Sequence, residues 1–355
     1  MTKAAGASGC GEESRAQASE FEKTKAGPTK DSDYYVKGVL DNDRLILSKT
    51  ITLMESTRPE DHDLALEVMD RILPYTGKAI RLGITGVPGG GKSTLIETLG
   101  MMLVEKGFRV AVIAVDPSSK ISGGSIMGDK TRMQFLSAQE NAYVRPAATG
   151  QTLGGVARKT RESMLVCEAA GYDVVIIETV GVGQLETTVA SMVDFFLVLM
   201  IPGAGDELQG IKRGILELAD AVVINKADGD NLVHAQMAQK EYQTALHLVN
   251  PRTPTWLPPV LTCSALEKTG IEEIWNTVLE HRKKLSATGE LEARRREQAL
   301  EWTWFLVDEG LREWFYKHPK TKGLLPEIKK RIESGTITPT RAASELLEQI
   351  INKRS

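Results

Sequence analysis

A strand-like run, Ile80–Thr85, passes directly into Gly86-Val87-Pro88-Gly89-Gly90-Gly91-Lys92-Ser93 and then into a helical pattern carrying Leu95, Leu99 and Met102. Few folds accept a buried strand, a glycine-rich turn and an amphipathic helix in that order. A strand of near-continuous Val, Ile and Leu is apolar on both faces, so it needs strands beside it and helices above and below. The chain repeats the alternation, with further strands expected at Arg109–Val115, Asp173–Thr179, Phe195–Ile201, Asp220–Asn225 and Val260–Cys263. The predicted fold class is therefore α/β: a mostly parallel central sheet with helices on both faces, extended by helices at each end. Ligands of such sheets lie at the carboxyl ends of the strands, where every motif below falls.

The 355 residues suffice for one sizeable α/β core with additions. Residues 1–33 hold almost no large apolar side chains and are expected to be a disordered tail. A helical segment follows over 34–78, then the sheet domain over 79–285, then a helical arm over 286–355. In the first helical segment Leu47, Ile51 and Met54 share a face. Thr57 and Glu60 fit a capping box that opens a helix striped by Ala65, Val68, Met69, Ile72 and Leu73 and ended by Pro74 and Gly77. In the arm, Trp304, Val307, Leu311 and Trp314 recur at helical spacing. Thr338 and Pro339 open a last helix with Ala342, Ala343, Leu346, Leu347 and Ile350 on one face.

A net charge of −3 leaves no basic surplus for a polyphosphate backbone, which argues against nucleic acid as a partner. Cys10, Cys167 and Cys263 stand far apart and form no CxxC pair, as expected in a reducing compartment. No apolar run approaches the roughly 20 residues of a membrane span. The acidic N-terminus lacks the apolar stretch of a signal peptide, and a cytoplasmic location is expected.

Residues 86–93 match GxxxxGK[ST] without exception, between the strand and helix that the pattern requires. The glycines let successive N–H groups converge on a phosphate, helped by the helix N-terminus that Thr94 continues. Lys92 would reach the β- and γ-phosphates, and the Ser93 hydroxyl would ligate Mg²⁺. After the fifth strand, Asn225-Lys226-Ala227-Asp228 matches NKxD. The Asp228 carboxylate can accept hydrogen bonds from guanine N1 and its 2-amino group, a pair that adenine lacks. Two charge-assisted bonds would discriminate by about 3–6 kcal/mol. Lys226 would lie along the base and Asn225 would brace the loop. Ser264-Ala265-Leu266 resembles the loop whose backbone N–H meets guanine O6. GTP/GDP is thus the expected ligand, with Mg²⁺.

Glu178-Thr179-Val180-Gly181 ends the third strand with an acidic γ-phosphate and Mg²⁺ sensor, Glu where most GTPases carry Asp. Val182 stands where many signalling GTPases place a water-orienting Gln, so hydrolysis by the chain alone is expected to be slow. Asp116 and Asp129 are candidate Mg²⁺ or water ligands, although Asp116 with Pro117 also fits a plain turn. Arg132 would supply transition-state charge in cis, or be a surface charge.

Four segments reach beyond a generic GTPase: AVDPSS with GGSIMGDKTRM, TLGGVARKT, ETVGVGQ and GAGDELQGIKRG. Together they resemble the methylmalonyl-CoA mutase-associated GTPases, the MeaB/ArgK type and the methylmalonic aciduria type A protein, from about Tyr34 to the C-terminal helices. The resemblance implies a fold like that of the signal-recognition and nickel-chaperone GTPases. It also implies a homodimer and a B12-dependent acyl-CoA mutase as partner, with an adenosyltransferase as a further candidate. The Trp304, Val307, Leu311 and Trp314 stripe makes the C-terminal arm the expected dimer contact, unless it packs on its own domain. The function it implies is a GTP-driven chaperone that gates adenosylcobalamin loading and protects or reactivates the mutase. Lys92, Ser93, Asp116, Asp129 and Glu178 would then form the Mg·GTP and hydrolysis machinery. Gly205, Asp206, Glu207, Gln209 and Lys212 would form a switch relaying nucleotide state, in a stretch that is otherwise an ordinary loop and helix start. No cobalamin-binding motif is identified in the chain.

Two alternatives share the fold. A nickel-type metallochaperone would carry His-rich or Cys-containing sites, whereas His62, His234, His247, His281 and His318 are scattered. A small-molecule kinase would pass the γ-phosphate to a substrate rather than to water.

Overall fold

The computed structural model describes residues 31–115, 133–146, 153–179, 185–203, 213–247 and 252–351. They fall into two compact units, one within 1–250 and 258–276, the other within 251–257 and 277–355.

The first unit is built on a seven-stranded, wholly parallel sheet: β1 (Ile80–Gly86), β2 (Val110–Val115), β3 (Ala142–Pro146), β4 (Val174–Thr179), β5 (Phe195–Met200), β6 (Ala221–Ile224) and β7 (Val260–Thr262). Their spatial order is β3-β2-β4-β1-β5-β6-β7. β1 lies between β4 and β5, so the carboxyl ends of β1 and β4 lie side by side. β1, β2, β4, β5 and β6 are buried along their whole length, which is why they read as unbroken apolar runs.

Among the described residues three helices precede the sheet: α1 (Ser32–Leu40), α2 (Arg44–Met54) and α3 (Pro59–Ile72). Sequence pattern anticipated two of them. α1 is capped by the Asp31 side chain, which accepts from the Tyr34 N–H at 2.9 Å. The expected face of α2 is the buried one, with Leu47, Ile51 and Met54. The expected capping box does not form at α3, whose N-cap is Arg58 and makes no side-chain cap bond. Pro59, with its φ preset for the first helical position, starts the helix one residue later than Thr57 would. α3 buries Ala65, Val68 and Ile72, but Leu73 is exposed because a 3₁₀ turn over Leu73–Tyr75 takes over there.

Between the strands run α4 (Lys92–Glu105), the short α5 (Gln134–Ser137), α6 (Leu153–Ala169), the short α7 (Leu185–Ala190) and α8 (Arg213–Leu216), and α9 (Leu232–Leu246). α1, α2 and α3 all pack on α6. Arg145 at the end of β3 fastens α2 through Glu55 at 2.6 Å.

Helix α10 (Ile271–Thr288) starts in the first unit and ends in the second, which continues with α11 (Glu290–Lys317), α12 (Pro319–Glu333) and α13 (Pro339–Ile351). The second unit has a small core of Ile328, Ile337 and Ala342 with Leu346 against it. The Thr338 hydroxyl caps α13 by accepting from the Arg341 N–H at 3.2 Å. Ala342 is buried while Ala343 and Leu347 are exposed, so the buried face of α13 is narrower than the pattern suggested. No helix among the described residues is long and apolar enough to cross a membrane.

Candidate functional site

The phosphate loop leaves β1 at Gly86, where φ is +148° and an added Cβ would fall 2.0 Å from the Leu199 carbonyl oxygen. Only glycine passes that close to β5. The turn is closed by Gly90 N–H donating to the Val87 carbonyl at 3.1 Å, and α4 opens behind Gly91, whose φ is +86°. Lys92 is buried. Its ammonium donates to the carbonyls of Gly86 and Val87, each at 3.0 Å, so it lies over the loop rather than out in solvent. Pro88, Gly89 and Thr94 are exposed.

Glu178, in register with Ile84 on the neighbouring strand, is buried. Its carboxylate accepts a hydrogen bond from the Ser93 hydroxyl at 2.9 Å. A hydroxyl and a carboxylate at this distance form an all-oxygen donor pair suited to a hard cation that also takes phosphate oxygens and water, as Mg²⁺ does. Beside them, buried Thr179 donates to the Thr85 hydroxyl at 2.7 Å, tying the ends of β4 and β1. Among the described residues no three His, Cys, Asp or Glu side chains gather as a metal site. His281 is buried with its ring edge-on to Trp256 at 5.0 Å.

Beyond the carboxyl ends of β6 and β7, one carboxamide joins three loops. Asn225 Nδ2 donates to the Gly90 carbonyl at 2.8 Å, and its Oδ1 accepts the Ala265 N–H at 3.0 Å and the Cys263 thiol at 3.4 Å. Lys226 holds a left-handed φ of +60°, turning the chain so that Ala227 N–H reaches the Cys263 carbonyl at 2.9 Å. A non-glycine residue in that region stores strain, a frequent property of ligand loops. The Ser264 hydroxyl donates to the Asp228 carboxylate and accepts the Glu267 N–H at 3.1 Å, while the Leu266 side chain is exposed. Burial pushes the Cys263 thiol up to about 12, so it packs and donates rather than reacts.

The structure thus brings Gly86, Val87, Gly90, Gly91, Lys92, Ser93 and Glu178 together, and links them through Asn225 to Asp228, Ser264 and Ala265. Asp116, Asp129, Arg132, Val182 and the stretch Gly205, Asp206, Glu207, Gln209 and Lys212 lie outside the described residues. Sequence reasoning gave Thr85, Thr179 and Cys263 no bonding role at the site. A hydroxyl or thiol within one residue of the carboxyl end of a strand is the signal that marks them.

A parallel α/β protein that carries its phosphate loop and its Asn225–Asp228 and Ser264–Leu266 loops as one hydrogen-bonded unit is a P-loop protein of the GTPase class. Residues 47–320 match the model for the methylmalonyl-CoA mutase-associated GTPase MeaB, and the chain belongs to that family. A probable GTPase of Mycobacterium tuberculosis is 52% identical over 316 residues, spanning 89% of this chain and 94% of that protein. GTPase ArgK of Escherichia coli is 45% identical, with 89% and 95% covered. The mitochondrial methylmalonic aciduria type A homolog of Mus musculus is 47% identical, with 89% and 79% covered. Among solved structures, one described as a LAO/AO transport system kinase is 39% identical, covers 92% of this chain and 99% of its own, and superposes with a TM-score of 0.73.

Proposed function

We propose that this chain binds and hydrolyses GTP, and that it uses the nucleotide cycle as a chaperone for a B12-dependent acyl-CoA mutase, gating adenosylcobalamin loading and protecting or reactivating the enzyme. The observation that carries the nucleotide part is the Asn225 carboxamide, bonded to the phosphate loop on one side and to the Ala265 loop on the other. A single ligand with a phosphate tail and a purine head fits that spacing, and the Asp228 carboxylate supplies the acceptor that guanine requires. The mutase part is supported by membership of a mutase-associated family and by the relatives' names.

In this reading the phosphate loop N–H groups and Lys92 neutralise the β- and γ-phosphates, and water attacks the γ-phosphorus as its bond to the β,γ-bridging oxygen breaks, giving inorganic phosphate and GDP as the leaving group. Ser93, with Glu178 beside it, would hold Mg²⁺, which supplies further charge neutralisation. Asp116 and Asp129 are proposed as additional ligands and Arg132 as a source of charge.

The segment Gly205–Lys212 follows the strand that ends beside the nucleotide. Asp206, Glu207 and Lys212 can form alternative ion pairs in different nucleotide states. Glu207→Ala or Lys212→Ala is expected to leave GTP affinity nearly intact and to impair mutase-stimulated hydrolysis and nucleotide-gated cofactor transfer. GTP titration paired with a stimulated-turnover assay tests this. Equal loss of both would move the segment into the nucleotide pocket, and loss of neither would remove its role.

The chain is proposed to form a homodimer through α11. Leu300, Trp304, Val307, Leu311 and Trp314 follow one another at steps of four and three and are all exposed, Trp304 to 67%. That spacing is a helix–helix seam, and an apolar strip of this size is costly to leave in water. Sedimentation of a Trp304→Asp, Leu311→Asp variant is expected to give monomer where the natural sequence gives dimer. A persistent dimer would exclude the seam.

A further inference from the structure

Threonines within helices usually satisfy their hydroxyl on the carbonyl four residues back. Thr50, Thr52 and Thr160 do so here, donating to Ile46, Ser48 and Val156 at 2.8–2.9 Å. Thr98 does not. Its hydroxyl leaves α4 and donates to the Ala265 carbonyl at 3.0 Å, across 167 residues of chain.

The peptide units on both sides of Ala265 are therefore held. Its N–H is bonded to Asn225, which is bonded to Gly90 of the phosphate loop. Its carbonyl is bonded to Thr98, on the same helix that begins with Lys92 and Ser93. The bonds close a ring: phosphate loop, Asn225, Ala265, Thr98, α4 and back to the phosphate loop. The sequence places no base-reading motif on α4, and Thr98 belongs to neither GxxxxGK[ST] nor NKxD.

Building on the guanine-nucleotide reading above, we propose that Thr98 is a positioning residue for base recognition. It sets the depth of the Ser264–Leu266 loop relative to the phosphate loop, so that the Leu266 N–H, on the same peptide unit as the Ala265 carbonyl, meets the 6-oxo group of a purine whose phosphates are already seated on α4. The Ser264 and Ala265 N–H groups are bonded to Thr269 and Asn225. Loss of this bond frees the carbonyl end of the Ala265 unit and costs affinity only for bases that carry a 6-oxo acceptor. Chemistry at the γ-phosphate, which lies at the other end of the ligand, keeps its rate.

The test uses the full chain with Thr98→Val, which removes the donor at nearly constant volume, and Thr98→Ser, which restores it. Affinities for GDP, IDP and ADP are measured by calorimetry, with kcat and KM for GTP alongside. The expected result is that Thr98→Val weakens GDP and IDP together by about tenfold, or ~1.4 kcal/mol. ADP binding and kcat should be unchanged, KM should rise, and Thr98→Ser should recover most of the loss. Unchanged GDP affinity in Thr98→Val overturns the proposal. So does an equal loss for GDP and ADP with a lowered unfolding temperature and no rescue by serine, which would mark a purely structural contact. A natural sequence that binds ADP as tightly as GDP would overturn the guanine reading itself and this proposal with it.

Discussion

Asp228→Asn is expected to weaken GTP binding by roughly 10²–10⁴-fold and to raise affinity for xanthosine triphosphate. Two charge-assisted hydrogen bonds to guanine are lost, about 3–6 kcal/mol at ~1.4 kcal/mol per decade. The same change presents an amide donor to the 2-oxo group of xanthine. Ser264 sharpens the expectation. Its hydroxyl donates to the Asp228 carboxylate, and an asparagine side chain keeps an oxygen for that bond while turning its nitrogen outward. The loop should therefore stay folded, and the change should appear as exchanged specificity rather than lost binding. Competition between GTP and xanthosine triphosphate for one labelled nucleotide measures it. A variant that still prefers guanine would show that Asp228 does not read the base.

The second large effect is expected far from the nucleotide, near the amino ends of the strands. Glu168 on α6 is fully buried and bonded to Arg81 of β1 through Nε at 2.5 Å and Nη2 at 3.1 Å, and it also accepts the Gly77 N–H at 2.6 Å. Asp194 accepts the Arg81 backbone N–H at 2.9 Å. Arg161 is buried close by. Desolvation, with the like charge of Arg81 adding to it, pulls its guanidinium down to about 10, and Glu168 works in the opposite direction. Glu168→Ala would leave two buried guanidinium groups without this carboxylate and uncap the turn that leads from the N-terminal helices into β1. Removing one partner of a buried pair costs about 3–5 kcal/mol. The midpoint of urea unfolding, followed in the sheet unit, should fall accordingly, while nucleotide affinity in the surviving folded fraction stays near that of the natural sequence. A loss below about 1 kcal/mol, the value of an exposed pair, would mean that water reaches the cluster.

Neither Glu168 nor Arg81 could be paired from sequence, because their contact spans 87 residues and leaves no local spacing. The sheet was legible because five strands are buried on both faces and read as continuous apolar runs. β3 was not: it is a five-residue edge strand, Ala142–Pro146, with only Tyr143 and Val144 as large apolar residues before Arg145 and Pro146. α1 hides at the border of a polar tail, and its one readable mark is the Asp31 cap. The misplaced start of α3 has a similar lesson. Thr57 and Glu60 have capping-box spacing, but Pro59 fixes where the helix begins.

The site was legible where the chemistry sits on consecutive residues, as in Gly86–Ser93 and Asn225–Asp228. It was not legible where a single side chain bridges distant segments. The Ser93–Glu178, Thr179–Thr85 and Thr98–Ala265 bonds join residues 85, 94 and 167 apart. Only the register of β1 with β4 and the stacking of α4 under the last loop bring them together.

In the proposed role, nucleotide turnover serves a mutase. The most direct measurement is phosphate release from GTP by the purified chain, alone and with a B12-dependent acyl-CoA mutase, with adenosylcobalamin transfer to the mutase followed in the same mixture. The chain alone is expected to turn over well below the ~10 s⁻¹ of a typical enzyme, with clear acceleration when the mutase is added and cofactor transfer that depends on GTP. Rapid hydrolysis that is indifferent to the mutase, with cofactor transfer equal in the presence and absence of GTP, would contradict it.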